Sequence, residues 1–195
     1  MWIQPSAGGV PMPDELAKLL LEGSSRCSAR EAEQKVPDSP GYYAIFVDEA
    51  DALRPSFAKI LHDRQTELIY IGIATKSLLT RLVDQDVHHR RSSTFFRSLG
   101  AALDHKPPAA SLLGGNYKFG KTDTGAIIQW IDEHISVRWV CVKPATKKAE
   151  TEAIGQLRPL FNITHNPEAL SELKTLREEC RALAARAPAD GRTSD

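Results

Sequence analysis

Two stretches of this chain carry residues suited to chemistry on phosphates. Gly115-Asn-Tyr-Lys-Phe-Gly120-Lys121-Thr122 satisfies G-x-x-x-x-G-K-[ST], the pattern whose backbone amides cradle a nucleoside triphosphate. Ala44-Ile-Phe-Val47-Asp48-Glu49 has the form of an apolar strand ending in magnesium-holding acids. Their context argues against that use. Pro107-Pro108-Ala-Ala-Ser-Leu-Leu is a poor buried strand to lead into a glycine loop, and the acidic strand precedes the loop instead of following it. A P-loop NTPase is therefore a minor alternative. Glu150 is a stronger candidate. At about 100° per residue, Ile154 falls about 40° from it and Leu157 about 20° to the other side, whereas Glu152 lies about 200° away. A carboxylate on an apolar stripe is expensive unless paired or metal-bound, which favours Glu150 as a ligand and Glu152 as a solvated acid. The alternative is a shifted helix with Glu150 at the stripe's edge.

Around these residues, 14–22 place Leu16, Leu19 and Leu20 at helical spacing. Tyr42 to Val47 and Leu68 to Ile73 read as buried strands, joined by about twenty residues with a helical patch near Phe57 to Leu61. Ser77 is an N-cap for a helix carrying Leu78, Leu79, Leu82 and Val83, and Ser92, Ser93 and Thr94 can cap a second one. Residues 104–122 read as a Pro/Gly/Lys surface loop. Ile127, Ile128, Ile131 and Ile135 mark a helix, Val137 to Val142 a strand, and 147–157 a further helix. Asn166-Pro167 announces a last helix with Leu170, Leu173, Leu176, Cys180 and Leu183 on one stripe. Three strands among helices predict a small mixed α+β layer.

Gly41-Tyr42-Tyr43 opens the first strand and Tyr70-Ile71-Gly72 closes the second, with Arg81 on the following helix. Glu150 is then followed, in order, by Pro159 and Asn162. This arrangement resembles the GIY-YIG nuclease family over about Pro40 to Asn166. The resemblance implies a small, three-stranded, mostly antiparallel sheet flanked by helices, with helical extensions at 1–39 and 167–195 around a nuclease domain at 40–166. It implies a divalent-metal-dependent endonuclease acting on DNA phosphodiester bonds. Glu150 would hold one Mg²⁺ (or Mn²⁺) ion, a hard cation suited to a single carboxylate plus phosphate and waters. Arg81 would clamp the phosphate. Tyr43 would act as general base or pass on a proton, Tyr70 beside it would bind phosphate or order the water, and Asn162 would pin the loop after the Glu150 helix. Tyr42 reads as packing.

One position departs from the family pattern. Members often carry His or Tyr one helical turn after the arginine, and here that residue is Gln85. His88, which would share the side of Arg81, or His89 is the candidate proton acceptor for Tyr43; two exposed polar residues at a helix end is the alternative. Between Lys76 and Lys106, six Lys/Arg stand against three Asp in a chain whose formal charge is zero. Lys76, Arg90, Arg91 and Arg97, extended by Lys118 and Lys121 in the 104–122 loop, are candidates for backbone phosphate contacts. A module that keeps the fold and binds nucleic acid without cutting it is the other reading.

The 195-residue chain suits a single domain with extensions, and its 42% apolar content argues against disorder. Cys27, Cys141 and Cys180 form neither a disulfide framework nor a Cys-x-x-Cys knuckle, and no span of about 20 apolar residues occurs. The N-terminus lacks a secretion signal, so a reduced, cytoplasmic setting is expected, with no membrane and no small-molecule cofactor.

Overall fold

The computed structural model describes residues 12–187. The stretch 1–11, read above as lacking a secretion signal, and the tail beyond 187 lie outside the described residues. In chain order the elements are α1 (Pro13–Glu22), β1 (Cys27–Ser28), α2 (Ala32–Lys35), β2 (Gly41–Val47), α3 (Pro55–Arg64), β3 (Leu68–Ala74), a π-helix (Leu79–Val87), α4 (Thr94–Ala102), β4 (Leu112–Leu113), β5 (Asn116–Tyr117), α5 (Lys121–His134), β6 (Ile135–Cys141), α6 (Lys147–Leu157) and α7 (Ser171–Ala185). The main sheet is antiparallel in the order β1-β6-β2-β3. It has four strands where three were expected. The fourth, β1, is two residues that extend the sheet at β6, too short to show an alternating pattern.

Strand β2 is central and buried along its whole length. Successive side chains of a strand point to opposite faces, so Tyr43, Ile45 and Val47 join one core and Tyr42, Ala44 and Phe46 the other. The Tyr43 face packs against Phe57, Leu82, Val83, Phe95, Phe161 and Leu173, which brings α3, the π-helix, α4 and α7 into one layer. The Tyr42 face packs against Leu16 and Leu20 of α1 and Ala153 and Ile154 of α6. Burying each such large apolar side chain is worth about 1.5–3 kcal/mol, so both layers are anchored on the two strands that carry the tyrosines. The flanks expected as extensions are part of this packing.

Strand β3 is an edge, and an open edge invites stray pairing. The chain covers it with residues 160–162. The Phe161 N–H donates to Ile69 O at 2.7 Å, and the Asn162 carboxamide accepts from Ile71 N–H at 2.8 Å while donating to Ile71 O at 2.9 Å. The last helix starts later than Asn166-Pro167 suggests. Asn166 uses its side chain on Glu168 N–H and on the Pro159 and Asn162 carbonyls, capping a turn, and α7 begins at Ser171. In the 104–122 loop, Gly120 and Lys121 open α5 but follow a two-residue hairpin strand, β5, whose Tyr117 is buried. That is not the buried strand a phosphate cradle leaves. Among the described residues no helix is long and apolar enough to cross a membrane.

Candidate active site

The tyrosine at the back of the site is placed by strand pairing. Tyr43 sits opposite Gly72 across β2–β3, and its ring lies over that glycine: a Cβ at residue 72 would stand 2.3 Å from the Tyr43 hydroxyl. Only glycine admits the ring there. Tyr70, on the same layer, lies with its ring 6.5 Å from that of Tyr43 and 5.3 Å from Phe95. Tyr42 points the other way, and its hydroxyl receives the Thr146 N–H at 2.7 Å. Thr146 is the N-cap of α6, its side chain accepting from Ala149 N–H, so Tyr42 helps to set where the Glu150 helix begins.

The hydroxyl of Tyr43 is bonded to neither histidine. It donates to Asp86 Oδ2 at 2.5 Å, while Asp86 Oδ1 receives Arg81 Nη1 at 2.5 Å and the Ser93 hydroxyl at 2.6 Å. Asp86 is fully buried, with every bond made to a site residue or to the cap of α4. The reason the sequence pattern pointed to Gln85 is helical winding. Residues 79–87 are wound as a π-helix, in which i and i+5 are hydrogen-bonded partners, so the residue one turn after Arg81 is Asp86. Gln85 turns outward and donates to Ser92 O. His88 lies at the end of the π-helix, 3.9 Å from Glu33, and His89 stacks on Phe96 at 3.7 Å; this corrects the expectation that one of them partners Tyr43. His89 is held neutral near pH 7: burial, then the charges of Arg97 and Lys118, push its pKa down to about 4.

Electrostatics keep both phenols protonated at neutral pH. Burial and then the Asp86 charge raise Tyr43 well above the ordinary tyrosine value, against a lowering by Arg81. Tyr70 is likewise raised, first by burial. Burial works against the charge of Arg81, but Tyr43, Asp86 and Tyr70 leave its pKa raised, so it is a permanent cation.

Tyr70, Arg81 and Glu150 line one cleft of about 690 Å³ beside β3, where residues from both layers meet at the sheet edge. Tyr43 is sealed behind this wall at 0% exposure. The Glu150 side chain is 12% exposed and paired with Lys147 at 2.9 Å, whereas that of Glu152 is 37% exposed. The exposed Lys147 is a replaceable partner. Among the described residues no group of three or more His, Cys, Asp or Glu forms a self-sufficient metal cage. A single carboxylate facing a cleft fits a hard cation that takes its remaining ligands from phosphate and water.

The expected basic residues divide. Arg97 lines the main cleft, and with Arg90, Arg91 and Lys118 it also lines a smaller neighbouring pocket of about 150 Å³. Arg90 is committed to Asp84 and Glu33. Lys76 and Lys121 are exposed and line neither. Lys174, Arg177 and Arg181 of α7, which sequence reasoning left in a C-terminal flank, do line the cleft; their i, i+3, i+7 spacing was the available signal.

A family model described as the GIY-YIG catalytic domain matches residues 41–179, which takes in every site residue named above except Arg181 and the Glu33 contact. Comparisons with curated proteins and with solved structures find no match.

Proposed function

Since the chain belongs to the GIY-YIG catalytic-domain family, a nuclease family, we propose that it is a divalent-metal-dependent endonuclease that hydrolyses DNA phosphodiester bonds. The observation that carries this reading is the convergence of Tyr70, Arg81 and Glu150 on one cleft, with Tyr43 and Asp86 bonded to each other behind it. Hydrolysis needs an oriented water, a place for its proton, and positive charge on the phosphate. Glu150 would hold the cation, which when bound supplies Lewis-acid polarisation of the phosphate.

Arg81 offers a guanidinium whose Nη1 is tied to Asp86 and whose charge faces the cleft, a fixed fork for a phosphate oxygen. Tyr70, at the cleft wall, orders the water or phosphate. Tyr43 cannot serve as a phenolate at neutral pH, because burial and Asp86 both disfavour that charge. Its own proton is already donated to Asp86, so its oxygen is left to accept. Tyr43 is sealed from the cleft, so the Tyr70–Arg81 wall must part on substrate binding to admit the water. Tyr43 would then take the water's proton as it passes its own to Asp86, and no free phenolate forms. Asn162 holds the loop after α6 to β3 and so keeps Glu150 near Tyr70.

The test is nicking of supercoiled plasmid by purified protein with Mg²⁺. Wild type should cut, and Glu150→Gln, at a position with no buried hydrogen bond to lose, should abolish cutting. Unchanged nicking by that variant would refute the assignment of Glu150. Salt-sensitive DNA binding without cleavage under Mg²⁺ or Mn²⁺ would favour a non-catalytic binding module.

A further inference from the structure

The cleft holds more positive charge than its chemistry uses. Of its cations, Arg81 is paired through one nitrogen with Asp86, and Lys147 is paired with Glu150. Arg97, Lys174, Arg177 and Arg181 also line it, and among the described residues none of the four takes part in an ion pair. The one further acid in the lining is Glu178, which leaves a surplus of three positive charges. Arg97 is 7% exposed, held by Ser92 Oγ at 2.6 Å and Thr94 Oγ1 at 3.3 Å, and its buried Nε has no partner. Arg177 is oriented by the Ser98 hydroxyl at 3.2 Å.

We propose that Arg97, Lys174, Arg177 and Arg181 form a phosphate-binding wall that carries the backbone of one nucleic-acid strand through the cleft to Arg81 and Glu150. The inference rests on the nuclease reading above. Among the described residues no carboxylate pairs with the Arg97 guanidinium, whose side-chain partners are two hydroxyls. A buried cation is expensive unless an anion on its cleft side balances it. The neighbours worsen the problem: burial first, then the charges of Arg177 and Arg181, pull the pKa of Arg97 down. On α7, positions i, i+3 and i+7 fall within about 60° of arc and span about 10 Å of helix at 1.5 Å per residue. That is a line of charge, which suits successive phosphates better than one small anion. The cleft volume lies in the range that encloses a drug-sized ligand, enough for a short run of a single strand.

The experiment measures binding of a fluorescein-labelled oligonucleotide by anisotropy in EDTA, over a series of salt concentrations. It uses the full chain, with melting curves to check the fold. Arg177→Ala/Arg181→Ala should bind at least about 10-fold more weakly, and its log–log salt slope should be shallower by about 1.4, the release expected for two single-strand phosphate contacts. Arg177→Lys/Arg181→Lys should restore most of the affinity. Lys174→Glu/Arg181→Glu, at two exposed positions, should weaken binding without disturbing the Ser98 bond. Lys59→Ala, removing an exposed cation outside the cleft, should change nothing. If wild type cuts plasmid while the α7 variants bind with wild-type affinity and slope, the wall is refuted and the nuclease reading stands. If wild type neither binds nor cuts, both fall together.

Discussion

Replacing Asp86 by Asn separates shape from charge at the back of the site. The carboxylate takes Arg81 and Ser93 on one oxygen and Tyr43 on the other. An amide can keep its carbonyl on Arg81 and Ser93, but its NH₂ then faces the Tyr43 hydroxyl. Tyr43 must turn from donor to acceptor, and its proton is no longer directed at Asp86. Loss of a positioned acid–base pair costs about 10²–10⁴ in rate, so kcat for plasmid nicking should fall by about 100-fold or more. Breaking a buried ion pair costs about 3–5 kcal/mol. Here two bonds survive and the Arg81 side chain is 26% exposed, so the stability loss should fall at or below the bottom of that range, about 2–3 kcal/mol. At about 2–4 °C per kcal/mol for a chain of this size, Tm should drop by roughly 5–10 °C and the protein should remain folded at room temperature. The assay is single-turnover nicking at saturating Mg²⁺ beside a thermal melt. A folded Asp86→Asn protein that cuts within about threefold of wild type would refute the proton path through Tyr43, since that threshold is far below an acid–base contribution.

Gly72→Ala places a methyl group 2.3 Å from the Tyr43 ring and hydroxyl. It should cost about 1–3 kcal/mol by overpacking, read as a shift in the urea midpoint, and should suppress nicking by moving Tyr43 off Asp86. His89 gives a pH signature. Its pKa is depressed from 6.5 to about 4 on folding, so the unfolded chain binds the proton more readily. The His89 contribution is therefore complete above about pH 6.5 and is lost as pH falls toward 4. The ring is only half-buried, so solvent screening holds the loss to about 1–2 kcal/mol, below the full linkage value. Urea midpoints should fall over that window in wild type and fall less in His89→Gln, with an unchanged slope in the variant counting against the burial argument.

Much of the site was legible because strands and α-helices have local periods. Two-residue alternation separates Tyr42 from Tyr43, and the α-helical repeat separates the inward Glu150 from the outward Glu152, as the 12% and 37% exposures show. The order of phenols, guanidinium and carboxylate along the chain is likewise a property of the sequence alone. What tertiary structure decided is the company these groups keep. The π-helix brings Asp86 rather than Gln85 under Arg81, in step with bonds from Tyr43 and Ser93, which lie on other elements and are invisible to any local period. The same holds for α7. Its cations are a helix face in the sequence, and they become a wall of the cleft because Leu173, Leu176 and Cys180 bury against the shared core. Local spacing determines which side chains share a face; only the burial of distant apolar surface determines what that face meets.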